Sequence, residues 1–245
     1  MNAIFKIWRG DATNGALKDY STEVSEGMVL LDAVHQIQAT QAGDLACRWN
    51  CKAGKCGSCS AEINGKPRLM CMTRLDQLDL TRPVTVEPMR AFPLVKDLVT
   101  DVSWNFRVKK KIKPFTPRPP DAPDGTWRMA QADIDRVQEF RKCIECFLCQ
   151  DVCHVLREHH KHEEFIGPRF LVYTAALEMH PLDTADRLDE LRQAFGVGYC
   201  NITKCCTHVC PEDIAITDNA IIPLKERVVD EFYDPLGWLW KKMKR

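Results

Sequence analysis

The sequence predicts an α+β protein of two domains, a small sheet-based first half followed by a mostly helical second half. Three observations carry that prediction. Apolar residues form short strand-like runs before about residue 105 and recur every three or four positions after about residue 125. A proline-rich stretch separates the two patterns. Eleven of the thirteen cysteines fall into three spaced groups, one in the first half and two in the second. A chain of 245 residues is long enough for two such domains, each with its own core.

In the first domain, residues 1–105, positions 3–8 and 17–24 read as strands, and positions 28–41 place apolar residues at helical spacing. Positions 60–63 and 68–71 read as a hairpin around Asn64-Gly65, a pair suited to the positive φ angles of a tight turn. Positions 84–86 add a further strand. Residues 106–124 open with Lys109-Lys110-Lys111 and continue through Pro114, Pro117, Pro119, Pro120 and Pro123. Proline removes backbone donors, so this segment is expected to be an ordered crossing between domains, with the lysines on an exposed face. In the second domain, residues 125–245, helical periodicity is expected over 134–142, 169–179, 185–195 and 217–232.

Charge excludes one class of partner. Lys plus Arg equals Asp plus Glu, 34 each, so no global field favours nucleic acid. The first nine residues lack the continuous apolar stretch of a secretory signal, and charges interrupt every apolar run before it reaches the roughly 18 residues of a membrane span. A cytoplasmic location is therefore expected, with any membrane association peripheral. Thirteen cysteines, an odd number, are then better explained by metal binding than by disulfides.

Cys51, Cys56, Cys59 and Cys71 follow C-x4-C-x2-C plus a distant fourth cysteine, the spacing of a plant-type [2Fe–2S] site. Each iron needs two soft protein ligands beside its bridging sulfides, so four thiolates are required. Gly54 and Gly57 lie inside this loop, where backbone N–H groups can approach sulfur. A zinc knuckle is the competing reading, but zinc ribbons pair two short C-x2-C knuckles, and here three cysteines crowd one loop. The first domain is thus expected to be a plant-type ferredoxin (β-grasp) domain.

Cys143, Cys146, Cys149 and Cys153 form C-x2-C-x2-C-x3-C, and a later segment supplies Cys200, Cys206 and Cys210-Pro211, a bacterial-ferredoxin pattern split in two. In such pairs the fourth cysteine of each run serves the other cluster. The expected sets are a [4Fe–4S] cluster on Cys143, Cys146, Cys149 and Cys210, and a second cluster on Cys153, Cys200 and Cys206. Thr203 occupies the position where a fourth cysteine would complete the second run, which predicts a [3Fe–4S] cluster. Cys205 stays open as an alternative fourth ligand, and Cys47 is unassigned.

These three groups, in this order, resemble the iron–sulfur subunit of the succinate dehydrogenase and fumarate reductase family. Residues 51–59, 93–98 and Cys210-Pro211 add to the likeness, which covers nearly the whole chain. The resemblance implies an electron-transfer subunit with no catalytic residues of its own. It would relay electrons between FAD in a flavoprotein partner and quinone at a membrane anchor subunit, through three clusters. The first domain would face the flavoprotein, the second the anchor, and the chain would lie on the cytoplasmic face of the cell membrane. A soluble multi-cluster carrier, or the iron–sulfur subunit of another flavin-dependent dehydrogenase, is the alternative.

The sequence departs from the ubiquinone-linked form of the family. His154-Val155-Leu156 follow Cys153 in place of proline and a tryptophan-bearing stretch, and Asn201 rather than histidine follows Cys200. Quinone-site residues therefore do not transfer. Residues 154–167 look more like the branch with a single cytochrome b anchor and menaquinone. His159, His160 and His162 with their neighbouring glutamates are read as a solvated segment rather than a proton-accepting or metal site. Trp238 and Trp240 with the final cations suit a membrane–water interface or, equally, packing on the protein.

Overall fold

Strand β1 (Asn2–Gly10) alternates inward Ala3, Phe5 and Ile7 with more exposed residues, the period-two pattern of a half-buried strand. In the computed structural model of the chain, which describes residues 1–235, this strand lies second in a five-stranded sheet. It pairs antiparallel with β2 (Gly15–Glu23) and parallel with β5 (Val84–Glu87). Beyond β5 lie β3 (Ser60–Ile63) and β4 (Lys66–Leu69), giving the order β2-β1-β5-β3-β4. The β3–β4 turn is Asn64-Gly65, with φ of 49° and 73°, the left-handed pair such a tight turn requires. Helix α1 (Leu30–Thr40) buries Leu30, Leu31, Ala33, Val34 and Ile37 as part of the first core.

A second hairpin, β6 (Leu94–Lys96) and β7 (Val99–Thr100), was not evident from periodicity because each strand is only two or three residues long. Asp97 in its turn is buried and anchors it. Its carboxylate accepts hydrogen bonds from the Gly10 and Ala46 N–H groups and from Arg9 Nε, at 2.8, 2.8 and 3.1 Å.

Helix α2 (Ser103–Lys111) runs across the expected boundary at residue 105, and its Val108 joins the core of the second half together with Met89, Ala91 and Phe92. The lysines at its end are not all on an exposed linker face, because Lys109 Nζ lies 2.6 Å from Glu145 Oε1. The proline-rich stretch that follows is tied down by the fully buried Arg187, which donates to the carbonyls of Lys113 and Pro114 at 2.9 and 2.8 Å.

The second half is helical: α3 (Gln131–Gln138), α4 (Leu148–Asp151), α5 (His154–Arg157), α6 (Gly167–Glu178), α7 (Leu188–Arg192), α8 (Cys205–His208) and α9 (Ile222–Phe232). Proline opens the first turns of α6 and α9, where the missing N–H costs nothing. The helix expected over 185–195 is shorter, because Arg187 is drawn inward to Asp183 and Glu178. Among the described residues no helix is long and apolar enough to cross a membrane. Residues 236–245, which include Trp238 and Trp240, lie outside the described residues.

The two halves meet across a polar and tightly packed seam. Glu62 on β3 is fully buried and pairs with Arg157 at 2.8 Å and Arg90 at 3.2 Å. Nearby Asp151 accepts the Ala91 N–H at 2.9 Å, and burial, with repulsion from Glu62, pushes its carboxyl up to about 7. Removing one partner of a buried pair leaves the other charge uncompensated, at a cost of about 3 kcal/mol. Glu62→Ala is accordingly expected to lower the anaerobic denaturation midpoint strongly, whereas Arg74→Ala, which loses an exposed pair with Asp76, should leave it nearly unchanged. Equal midpoints would show that the seam does not depend on Glu62.

Candidate metal centres

None of the thirteen cysteines is in a disulfide. The first group sits on the loop between α1 and β3 and on the turn after β4. That loop is wound by left-handed residues, Lys52, Gly54 and Gly57, at φ of 56°, 66° and 67°. The winding turns backbone N–H groups toward sulfur. Ala53 and Lys55 donate to Cys51 Sγ at 3.4 and 3.3 Å, Cys51 donates to Cys56 Sγ at 3.5 Å, and Cys71 donates to Cys59 Sγ at 3.4 Å.

These donors are placed for thiolates. Burial would raise the Cys56 thiol, but hydrogen bonds from Ser58 and from the Cys51 N–H outweigh it and bring Cys56 down to about 6. Cys59, deeper in the core, is pushed up to about 12 by burial, so its thiolate needs a compensating cation. Cys47, earlier in the same loop, packs against the first core, and burial raises it to about 12.

In the second half, two segments form cavities lined by sulfur. Cys143, Cys146, Cys149 and Cys210 line one, with Ile144, Phe147 and Arg169 among the other walls. Cys153, Cys200, Cys205 and Cys206 line the other, with His154, Asn201 and Thr203. Burial pushes Cys146 and Cys153 up to about 12, Cys206 up to about 11, and Cys149 and Cys210 upward as well. Bare thiolates would be costly there, and bound iron would offset that cost.

The two cysteine loops share a backbone path that spacing alone does not disclose. Glu145 and Phe147, two and four residues after Cys143, have φ of 56° and 62°. Ile202 and Lys204, two and four residues after Cys200, have φ of 61° and 60°. Each loop then enters a short helix, α4 or α8, through its second left-handed residue. Left-handed φ is uncommon outside glycine and an outlier for β-branched isoleucine, so these residues are strained to wrap the loops. In this register Thr203 takes the place of Cys146, and Cys205 that of Leu148.

Among the described residues no three His, Cys, Asp or Glu side chains are placed to hold a single metal ion. The thiols instead come together from segments far apart in the chain, a soft donor set that suits multi-iron groups. A buried, unpartnered N–H on Arg169 at the first cavity wall fits the same reading, since cluster sulfur accepts hydrogen bonds.

His162 is not solvated as expected. Its Nε2 lies 2.8 Å from the Ala91 carbonyl, its ring meets Trp104 edge-on at 4.8 Å, and its carbonyl accepts from Trp104 Nε1 at 3.1 Å. It is a packing residue of the seam, while Lys161 and Glu164 beside it form an exposed pair.

Comparison with known proteins matches residues 4–107 to a 2Fe-2S iron-sulfur cluster binding domain and residues 139–214 to a 4Fe-4S dicluster domain. The chain is 34% identical to a fumarate reductase iron-sulfur subunit of Mycobacterium tuberculosis, over 80% of this chain and 79% of that one. It is 33% identical to a succinate dehydrogenase iron-sulfur subunit of Bacillus subtilis, over 69% and 66%. Among solved structures, a chain of the Mycobacterium smegmatis Sdh1 complex in the apo form superposes with a TM-score of 0.92 at 61% identity, over 96% of this chain and 98% of that one.

Proposed function

The chain belongs to the family of succinate dehydrogenase and fumarate reductase iron–sulfur subunits, and we propose that it conducts electrons between FAD in a flavoprotein partner and quinone at a membrane anchor. The observation that carries this reading is the collection of thiols from distant segments into three separate groups. Clusters bound there supply one-electron redox states, which a flavin's two-electron chemistry needs if it is to serve a carrier chain.

The proposed ligand sets are Cys51, Cys56, Cys59 and Cys71 for [2Fe–2S], Cys143, Cys146, Cys149 and Cys210 for [4Fe–4S], and Cys153, Cys200 and Cys206 for [3Fe–4S]. Support comes from the chain's own groups: N–H donors crowd the first loop, and the cavity of Cys143, Cys146, Cys149 and Cys210 has walls that are apolar apart from Arg169 and Glu212. The exposed first loop, with Cys51 at the surface and Trp49 beside it, suits contact with the flavoprotein. The second domain would face the anchor. His154 and Asn201 border the second cavity, and they support the menaquinone-linked, cytochrome b-anchored form over the ubiquinone-linked one. The subunit would then sit peripherally at the cytoplasmic face of the cell membrane.

Anaerobic purification from membranes tests the reading. The expected result is co-isolation with a flavoprotein and a membrane cytochrome, with about nine irons per chain and three distinct cluster signals. Zinc in place of iron, or isolation as a lone soluble chain, would overturn it.

A further inference from the structure

Arg169, on α6, is a buried cation facing a ring of thiols. It lines the cavity of Cys143, Cys146, Cys149 and Cys210, whose remaining walls are apolar apart from Glu212. Its Nη2 donates to Glu145 Oε1 at 2.7 Å, and its guanidinium lies 5.6 Å from the ring centres of Phe170 and Tyr173. Its Nε–H is buried and has no partner. A buried N–H of a charged group loses free energy unless it finds an acceptor, and such orphans call for an explanation.

Neutralising Glu145 does not supply one. Lys109 Nζ reaches the same Oε1 at 2.6 Å, so two cations share one carboxylate and a net positive charge remains beside the cavity. Glu145 is itself held in a left-handed conformation between Cys143 and Cys146, which brings this charge cluster against the cysteine loop.

We propose that Arg169 is a tuning residue for the four-thiol site: its Nε–H donates a hydrogen bond to a sulfur of the cluster held there, and its charge favours the reduced state. The proposal rests on the reading that this cavity holds [4Fe–4S]. Reduction adds one electron to the site and moves no proton, because Arg169 stays protonated throughout. The added negative charge meets a cation already in place, in a buried setting where screening is weak. The consequence is a higher reduction potential than the four thiols alone would give.

Redox titration of the purified complex, followed by electron paramagnetic resonance, tests this. In Arg169→Leu the reduced-to-oxidised ratio of the four-iron site at fixed ambient potential should fall about tenfold or more, which is about 59 mV for a one-electron couple. The [2Fe–2S] site should titrate as before. Arg169→Lys should recover part of the shift, since it keeps the charge and loses the Nε–H fork. In the unmutated complex grown with arginine labelled with ¹⁵N in its guanidinium, pulsed measurements should show nitrogen coupled to the reduced four-iron site. That second measurement decides the matter by itself if Arg169→Leu fails to hold its cluster. An unchanged midpoint in a cluster-replete Arg169→Leu, or no arginine coupling in the unmutated complex, would overturn the proposal while leaving the subunit's function intact. Iron analysis without a four-iron site would instead remove the reading beneath it.

Discussion

Alanine at Gly57 is expected to force apart the two cysteine loops that meet there. A Cβ added there would lie 2.5 Å from Cys146 Cα, 2.8 Å from its Cβ and 2.9 Å from its nitrogen. The first cysteine loop therefore rests against the second with no room for a methyl group. Ser60 secures the contact, its hydroxyl lying 2.9 Å from the carbonyl of Cys146. Lys55 adds an ion pair to Glu212 at 2.9 Å.

The left-handed φ of 67° adds about 1–2 kcal/mol for a residue with Cβ, and overpacking about 1–3 kcal/mol. Gly65 provides the control. Its φ is 73°, but nothing lies within 4 Å of the added Cβ, so Gly65→Ala should show the backbone cost alone. Anaerobic denaturation and the rate at which the second-domain sites are reduced after the first can be measured for both variants. Gly57→Ala should lose stability and slow that transfer, while Gly65→Ala loses less and transfers normally. Matching behaviour of the two would mean that the contact with Cys146 has no bearing on electron flow.

Cysteine at position 203 is expected to change the composition of the second cavity outright. The paired left-handed residues put Thr203 where Cys146 stands in the first loop, so Thr203→Cys completes a four-thiol set. The proposed [3Fe–4S] site should become [4Fe–4S], with iron rising by about one atom per chain and the paramagnetic signal expected of an oxidised three-iron site disappearing. Cys205 borders the same cavity and lies 3.3 Å from the Thr203 hydroxyl, yet it occupies the position of Leu148. Cys205→Ser should therefore leave the iron content unchanged. Loss of iron from that variant would assign the fourth ligand to Cys205 and refute the register.

The α+β division, the main strands and the cysteine groups were legible in the sequence because each depends on local spacing. Phe5 and Ile7 alternate because a strand has period two, Asn64-Gly65 turns because those residues tolerate positive φ, and three cysteines in nine residues can wrap one group. Helical extent was legible only partly. Residues 103–111 form a helix through a stretch read as a boundary followed by a linker, and Arg187 shortens the helix expected over 185–195.

What the tertiary structure alone decided are the relations between residues far apart in the chain. Gly57 against Cys146, Glu62 with Arg157, and Arg169 at the wall of a cavity closed by Cys210 leave no periodic trace. Their side chains meet only after two cores have packed, and the free energy of each contact depends on what the other half of the molecule places there. The left-handed Ile202 is of the same kind: its local preference opposes that conformation, and the assembled second half holds it.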